Sequence, residues 1–225
     1  MIQEVLVLRW LHILCMVYWL GGEWGIFHTS FNILNRNLSM EERRRHMETA
    51  YRIDILARTG IITLLPLGLH MGNIYGLQPY GGNFLTFMWI FVALWLGLCW
   101  SAFFKRETDL GIKLTKIDEA VRYVLIPTIF IVGISSLLGL GPFEAGEGSR
   151  WYATKFTLYG FTLCIGLGLR WIMRRWTTAF RILAQGPNPQ IEAVLERDFL
   201  LGRCMAYVYW VTIAGICFLG TVKPF

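Results

Sequence analysis

Two neighbouring segments decide how this chain reads: Val5–His28, VLVLRWLHILCMVYWLGGEWGIFH, and Arg52–Leu77, RIDILARTGIITLLPLGLHMGNIYGL. About 20 apolar residues cross the hydrocarbon core of a bilayer, and each segment is that long. Each holds one histidine in its apolar part, His12 and His70. The connection between them, NRNLSMEERRRHMETAY, is short and rich in arginine. The pair therefore reads as two adjacent transmembrane helices.

The rest of the chain follows the same pattern. Hydrophobic residues make up 55% of the 225 and aromatic residues 15%, more apolar surface than a water-soluble domain of this length can hide. Six segments are long and apolar enough to span, near 5–28, 53–77, 84–104, 121–140, 151–173 and 203–222. The runs are continuous rather than alternating over about ten residues, which favours helices over a β-barrel. The expected fold is an all-α polytopic bundle of six spans, one integral membrane domain over 1–225. The first span lacks a basic leader and a small-residue cleavage site, so it reads as retained.

The net charge of +6 does not describe a nucleic-acid-binding surface. Lys and Arg concentrate in three alternate connections: around Arg36–Arg52, Lys105–Arg122 and Arg174–Arg203. The connections around Pro79–Asn83 and Gly141–Arg150 hold only Arg150. This positive-inside distribution places both termini on the outer side of a cytoplasmic (inner) membrane, bacterial in character.

Local signals add detail. Ser39 followed by Glu41 and Glu42 is a helix start, running on into the second span. Pro66 is expected to kink that span, and Gly68 with Gly72 to admit a close neighbour. Trp89, Trp95 and Trp100 are expected to face lipid or the interface. Residues 105–123 and 191–201 read as amphipathic surface stretches, and GPFEAGEGSR as a flexible, acidic outer loop. The five cysteines stand singly, with no metal or disulfide spacing, and read as packing residues.

Ionisable groups inside spans are costly and mark sites or pairing partners. His12 lies about 8 residues into the first span and His70 about 7 residues before the end of the second. At about 1.5 Å per residue both sit roughly 10–12 Å below the outer edge. Two imidazoles at one depth suit axial ligation of a haem iron. Arg9 and Lys155 lie nearer the same surface, placed to hold carboxylates of such a group. The same depth arithmetic pairs Glu23 with Arg58 at the cytoplasmic end. Copper held by the histidines with Met16 and Met71, a proton relay, or plain interhelical hydrogen bonds remain open. His28, roughly 24 Å along the helix from His12, and His46 read as interfacial or surface groups.

Leu11-His12 followed by Val17-Tyr18-Trp19-Leu20-Gly21-Gly22 resembles the first helix of the HemJ and CopD-like membrane proteins. Trp151-Tyr152-x-x-Lys155 resembles a Trp-Leu-His-x-Lys pattern on a later helix of that group. Arg58 with Pro66-Leu-Gly-Leu-His70 looks like its proline- and glycine-bearing helix. The resemblance implies haem at His12 and a site role for Lys155, with porphyrinogen oxidation or copper uptake as the activities of the group. The HemJ type is shorter, with fewer spans, and Arg170-Trp171 stands where a histidine is expected. The expected function is thus a b-type haem protein exchanging electrons between a membrane reductant, quinol or porphyrinogen, and another membrane redox protein. The rivals are a copper-handling membrane protein and a non-catalytic subunit of a larger complex or homo-oligomer.

The charge distribution makes a direct prediction. A reporter active only in the cytoplasm should be active when fused after Arg45 or Lys113 and inactive when fused after Gly81 or Phe225. The opposite pattern would reverse the assigned orientation.

Overall fold

In a computed structural model, which describes residues 3–106, 108–144 and 146–225, the chain forms six helices. These are α1 (Glu4–Leu34), α2 (Met40–Ile74), α3 (Asn83–Phe104), α4 (Asp109–Leu137), α5 (Arg150–Leu183) and α6 (Pro189–Val222). There is no strand among the described residues. All six are long and apolar enough to cross a membrane. The chain is an integral membrane protein of the expected fold class.

α2 is the axis of the bundle. In its most apolar window 61% of residues are buried, against 11% for α1, which lies at the periphery. α1 packs along α2 in antiparallel register, and small residues set how close it comes. A methyl group on Gly60 would lie 2.5 Å from the carbonyl oxygen of Cys15, and one on Gly22 would lie 2.7 Å from the side chain of Ala57. On the other side α5 is tied to α2 by Tyr159, whose hydroxyl donates to the Ile61 carbonyl at 2.8 Å. The main core gathers Trp19, Ile62, Leu163, Tyr209 and Ile213 from α1, α2, α5 and α6.

Several helices outrun the apolar spans. α2 starts at Met40, α4 at Asp109 and α6 at Pro189, and α5 continues to Leu183. Residues 109–123 and 191–201, the helical parts of the two amphipathic stretches, are therefore not separate surface elements but turns of the spanning helices. The extensions bury their own apolar faces together: Ile33, Met47, Ile172, Phe180, Leu195 and Phe199 form a second core. Ser39 caps α2 through a full capping box with Glu42, as its sequence implies. α2 runs through Pro66 as one helix.

The tryptophans of α3 depart from expectation. Trp95 is 2% exposed. Its Nε1 donates to Asp118 at 2.7 Å, that of Trp100 to Thr59 Oγ1 at 3.1 Å, and that of Trp89 to His70 Nδ1 at 3.3 Å. An indole N–H has no partner in hydrocarbon, so polar side chains on α2 and α4 turn all three inward. The loop before α5 is also anchored: Phe143 is buried, packs against Tyr152 and Phe156, and its N–H reaches Ser136 Oγ at 3.2 Å.

One charged contact locks the extensions. Arg43, 3% exposed, grips Glu192 with two nitrogens at 2.6 and 2.9 Å and donates to the Ile33 carbonyl at 2.7 Å. The guanidinium bonded to Glu192 holds its carboxyl below the usual carboxylate range. The stabilisation is thus present above that range and lost as pH falls through the depressed value. Glu192→Gln should cost about 1–3 kcal/mol, because it leaves buried guanidinium donors short of a charged acceptor. The check is a lower melting temperature in detergent at neutral pH, with the difference from wild type narrowing in acid.

Candidate functional site: an outer cavity and a buried ion network

A cavity of about 450 Å³, called outer after the orientation that the charge pattern implies, lies at the end of the bundle where α1 begins, walled by α1, α2, α5 and α6. Its walls are mostly apolar. Gly68 and Gly72 on α2 and Gly220 on α6 leave room that larger residues would fill. Gly68 faces the ring of His12, and Gly72 lies under the ring of Tyr152, so neither accepts a side chain without displacing a neighbour or narrowing the cavity.

Three cations line this cavity, Arg9, Lys155 and Lys223, and no carboxylate does so among the described residues. Lys155 stands on α5 close to Gly220. Lys223 caps α6 in a left-handed conformation, φ 51°, and holds its ammonium over the rings of Tyr75 and Trp151. His12 completes the polar set. Its Nδ1 is buried and has no hydrogen-bond partner. A buried polar atom without a partner is costly, so this imidazole is one that a ligand would satisfy.

His70 does not join them. It lies outside the cavity, and both of its ring nitrogens are engaged: Nδ1 by Trp89, and Nε2 by the Glu4 carboxylate at 3.2 Å. The neutral Nε2–H tautomer satisfies both contacts at once. The reason is rotational. Gly68 is the α2 residue that faces His12. Two residues further on, a helix has turned by roughly 200°, so His70 points to the far side of α2, toward α3. Of the four expected cofactor residues the fold brings Arg9, His12 and Lys155 together and leaves His70 elsewhere. Met16, Met71 and Cys217 also line the cavity.

The other end of the bundle holds a buried ion network. The expected Glu23–Arg58 pair takes a different form. Arg58 closes on Asp54, one turn back on its own helix, a pairing that needs no alignment between helices. Glu23 lies within electrostatic reach of both and lines a second cavity with them. The centre of the network is Asp118, which sequence reasoning placed on a surface helix. It is 1% exposed. It accepts from Arg170 on α5, from Arg122 at 3.4 Å, from Trp95 at 2.7 Å and from the Cys99 thiol at 3.1 Å. The signal for it was present: Arg170 inside a span demands a counter-ion, and Asp118-x-x-x-Arg122 is an i,i+4 pair at a span boundary. His28 is exposed, against the rings of Trp24, Phe27 and Phe31. Comparison with protein-family models, with curated proteins and with solved structures finds no match.

Asp118 carries the clearest prediction here. Asp118→Ala should cost about 3–5 kcal/mol, since it strands two buried guanidinium groups. Folded yield in membranes and melting temperature in detergent should both fall well below wild type. The triple change Asp118→Ala, Arg122→Leu, Arg170→Leu should recover much of the loss.

Proposed function

We propose that this protein is a membrane-embedded haem b protein, with the macrocycle in the outer cavity, where His12 would ligate the iron. One observation carries the reading: an unpartnered buried imidazole inside a large, mostly apolar cavity that, among the described residues, is lined by cations and by no carboxylate. A flat apolar body bearing carboxylates is the ligand that such a cavity complements. Arg9, Lys155 and Lys223 would hold the carboxylates by charge-assisted hydrogen bonds. Gly68, Gly72 and Gly220 keep the floor open for the ring, while Tyr152 and Trp151 close it toward α5. Bound there, haem supplies one-electron chemistry. His70 holds the start of α1 to α2 through Glu4 rather than ligating the iron.

The function that follows is electron transfer from a membrane reductant, a quinol or porphyrinogen, to another redox protein. The arginine-rich end faces the cytoplasm, in a bacterial inner membrane. Met16, Met71 and Cys217 give a second reading some support, a copper site built from the same imidazole and soft sulfur ligands.

Purified protein from haem-replete cells should show a Soret band and sharpened visible bands on reduction. His12→Ala should lower the haem-to-protein ratio by about tenfold or more, and His70→Ala should leave ratio and spectrum as in wild type. Colourless, iron-free protein would sink the haem reading, and stoichiometric copper in it would establish the second.

A further inference from the structure

A second cavity, of about 80 Å³, lies toward the Arg43 end between α1, α2, α5 and α6, with Arg122 reaching in from α4. Its walls are mostly apolar, with Phe27, Leu163, Ile172 and Phe199 among them, and also carry Glu23, Asp54, Arg58, Arg122, Arg170 and Arg203. Two donors in it have no acceptor: Nη2 of Arg122, a residue 4% exposed, and the indole N–H of Trp176. Neither side chain can itself accept, so whatever satisfies them must bring acceptor atoms.

Charge narrows the occupant. Asp54 pairs with Arg58, and Asp118 pairs with both Arg122 and Arg170. Glu23 makes no ion pair among the described residues, though it faces Asp54 and Arg58 from α2 and the Tyr209 hydroxyl from α6. Arg203 also lines the cavity, but it is exposed and lies over the Tyr207 ring. Among the groups away from solvent, three carboxylates, Glu23, Asp54 and Asp118, stand against three guanidinium groups, Arg58, Arg122 and Arg170, and leave no net charge. A further anion or cation would therefore stand uncompensated in the membrane interior. A neutral group with both an acceptor for Arg122 and a donor for Glu23 fits both deficits, and a hydroxyl on an aromatic ring is such a group. Size agrees. At about 10–15 Å³ of such volume per water, the cavity has room for roughly six waters, about 180 Å³ of liquid, or one substituted six-membered ring.

We propose that the inner cavity binds the ring of a membrane quinol, whose hydroxyl accepts from Arg122 Nη2 and donates to the Glu23 carboxylate. This site is separate from the outer cavity and does not depend on what that cavity holds. The competing occupant is a cluster of ordered waters.

The test uses the full-length protein in detergent and a short-chain quinol analogue, titrated calorimetrically under argon. An azido derivative of the analogue then maps the site by cross-linking. Wild type should bind saturably, with cross-links on the α1 segment around Phe27 or the α5 segment around Ile172. Ala206→Phe, which fills the cavity from α6, and Glu23→Leu, which removes the acceptor, should each weaken binding by about tenfold or more. Ala206→Phe should keep the melting temperature and haem content of wild type. Absence of saturable binding, the result for a water-filled cavity, would overturn the proposal. So would equal binding by wild type and Ala206→Phe, or cross-links confined to the outer cavity. Haem content, read from the same samples, separates a failure here from a failure of the haem reading.

Discussion

A guanidinium group inside a bilayer has to be matched by a carboxylate, and in this protein one carboxylate does most of the matching. Asp118 accepts from Arg122 on its own helix, from Arg170 on α5, and from Trp95 and Cys99 on α3. Helices in lipid gain little from burying apolar surface against one another, so close packing and polar contacts decide which faces meet. A single residue that binds three helices thus fixes the rotation of α3, α4 and α5 together. Tyr159, on the same α5, then reaches Ile61 on α2 and carries that orientation to the bundle axis.

Aromatic residues also keep the outer and inner cavities from joining into one channel. Trp19 lines the outer cavity and Tyr209 the inner one, and the indole N–H of the first donates to the hydroxyl of the second at 2.9 Å. Both are nearly inaccessible, at 1% and 2% exposure. Tyr159 and Ile61 form a second partition in the same way. The floor between the cavities is therefore built from aromatic residues whose polar tips satisfy each other or the backbone. Such a floor separates the two cavities without leaving its own buried polar tips unpaired.

Much of this fold was legible in the sequence, because span length, continuous apolar runs and the Ser39 cap each follow from one-dimensional rules. Depth was legible too: His12 does meet its level on α2, at Gly68, and Glu23 does reach the height of Arg58. Azimuth was not. Height depends on residue count alone, whereas the side of a helix that a residue occupies depends on which neighbours surround it. Thus His70, correct in height, turned out to face Trp89 and Glu4. Asp118 was missed for a related reason. An amphipathic pattern at a span boundary looks the same whether its polar face meets water or a buried arginine on another helix. The α3 tryptophans share that ambiguity, since an indole suits the lipid interface as well as an interior acceptor.

The order in which the walls of the outer cavity are made has a consequence for assembly. Its lining comes from α1 and α2 at the start of the chain and from α5 and α6 at the end. The backbone N–H of Trp151 is met by the carbonyl of Phe225, the last residue in the sequence given. During synthesis, then, the His12 face of α1 stays open to lipid while four further helices are made. The pocket exists only after α6 has entered the bilayer. Any large ligand of that pocket is therefore acquired only after α6 has been made, and loading it follows insertion of the early helices rather than templating them.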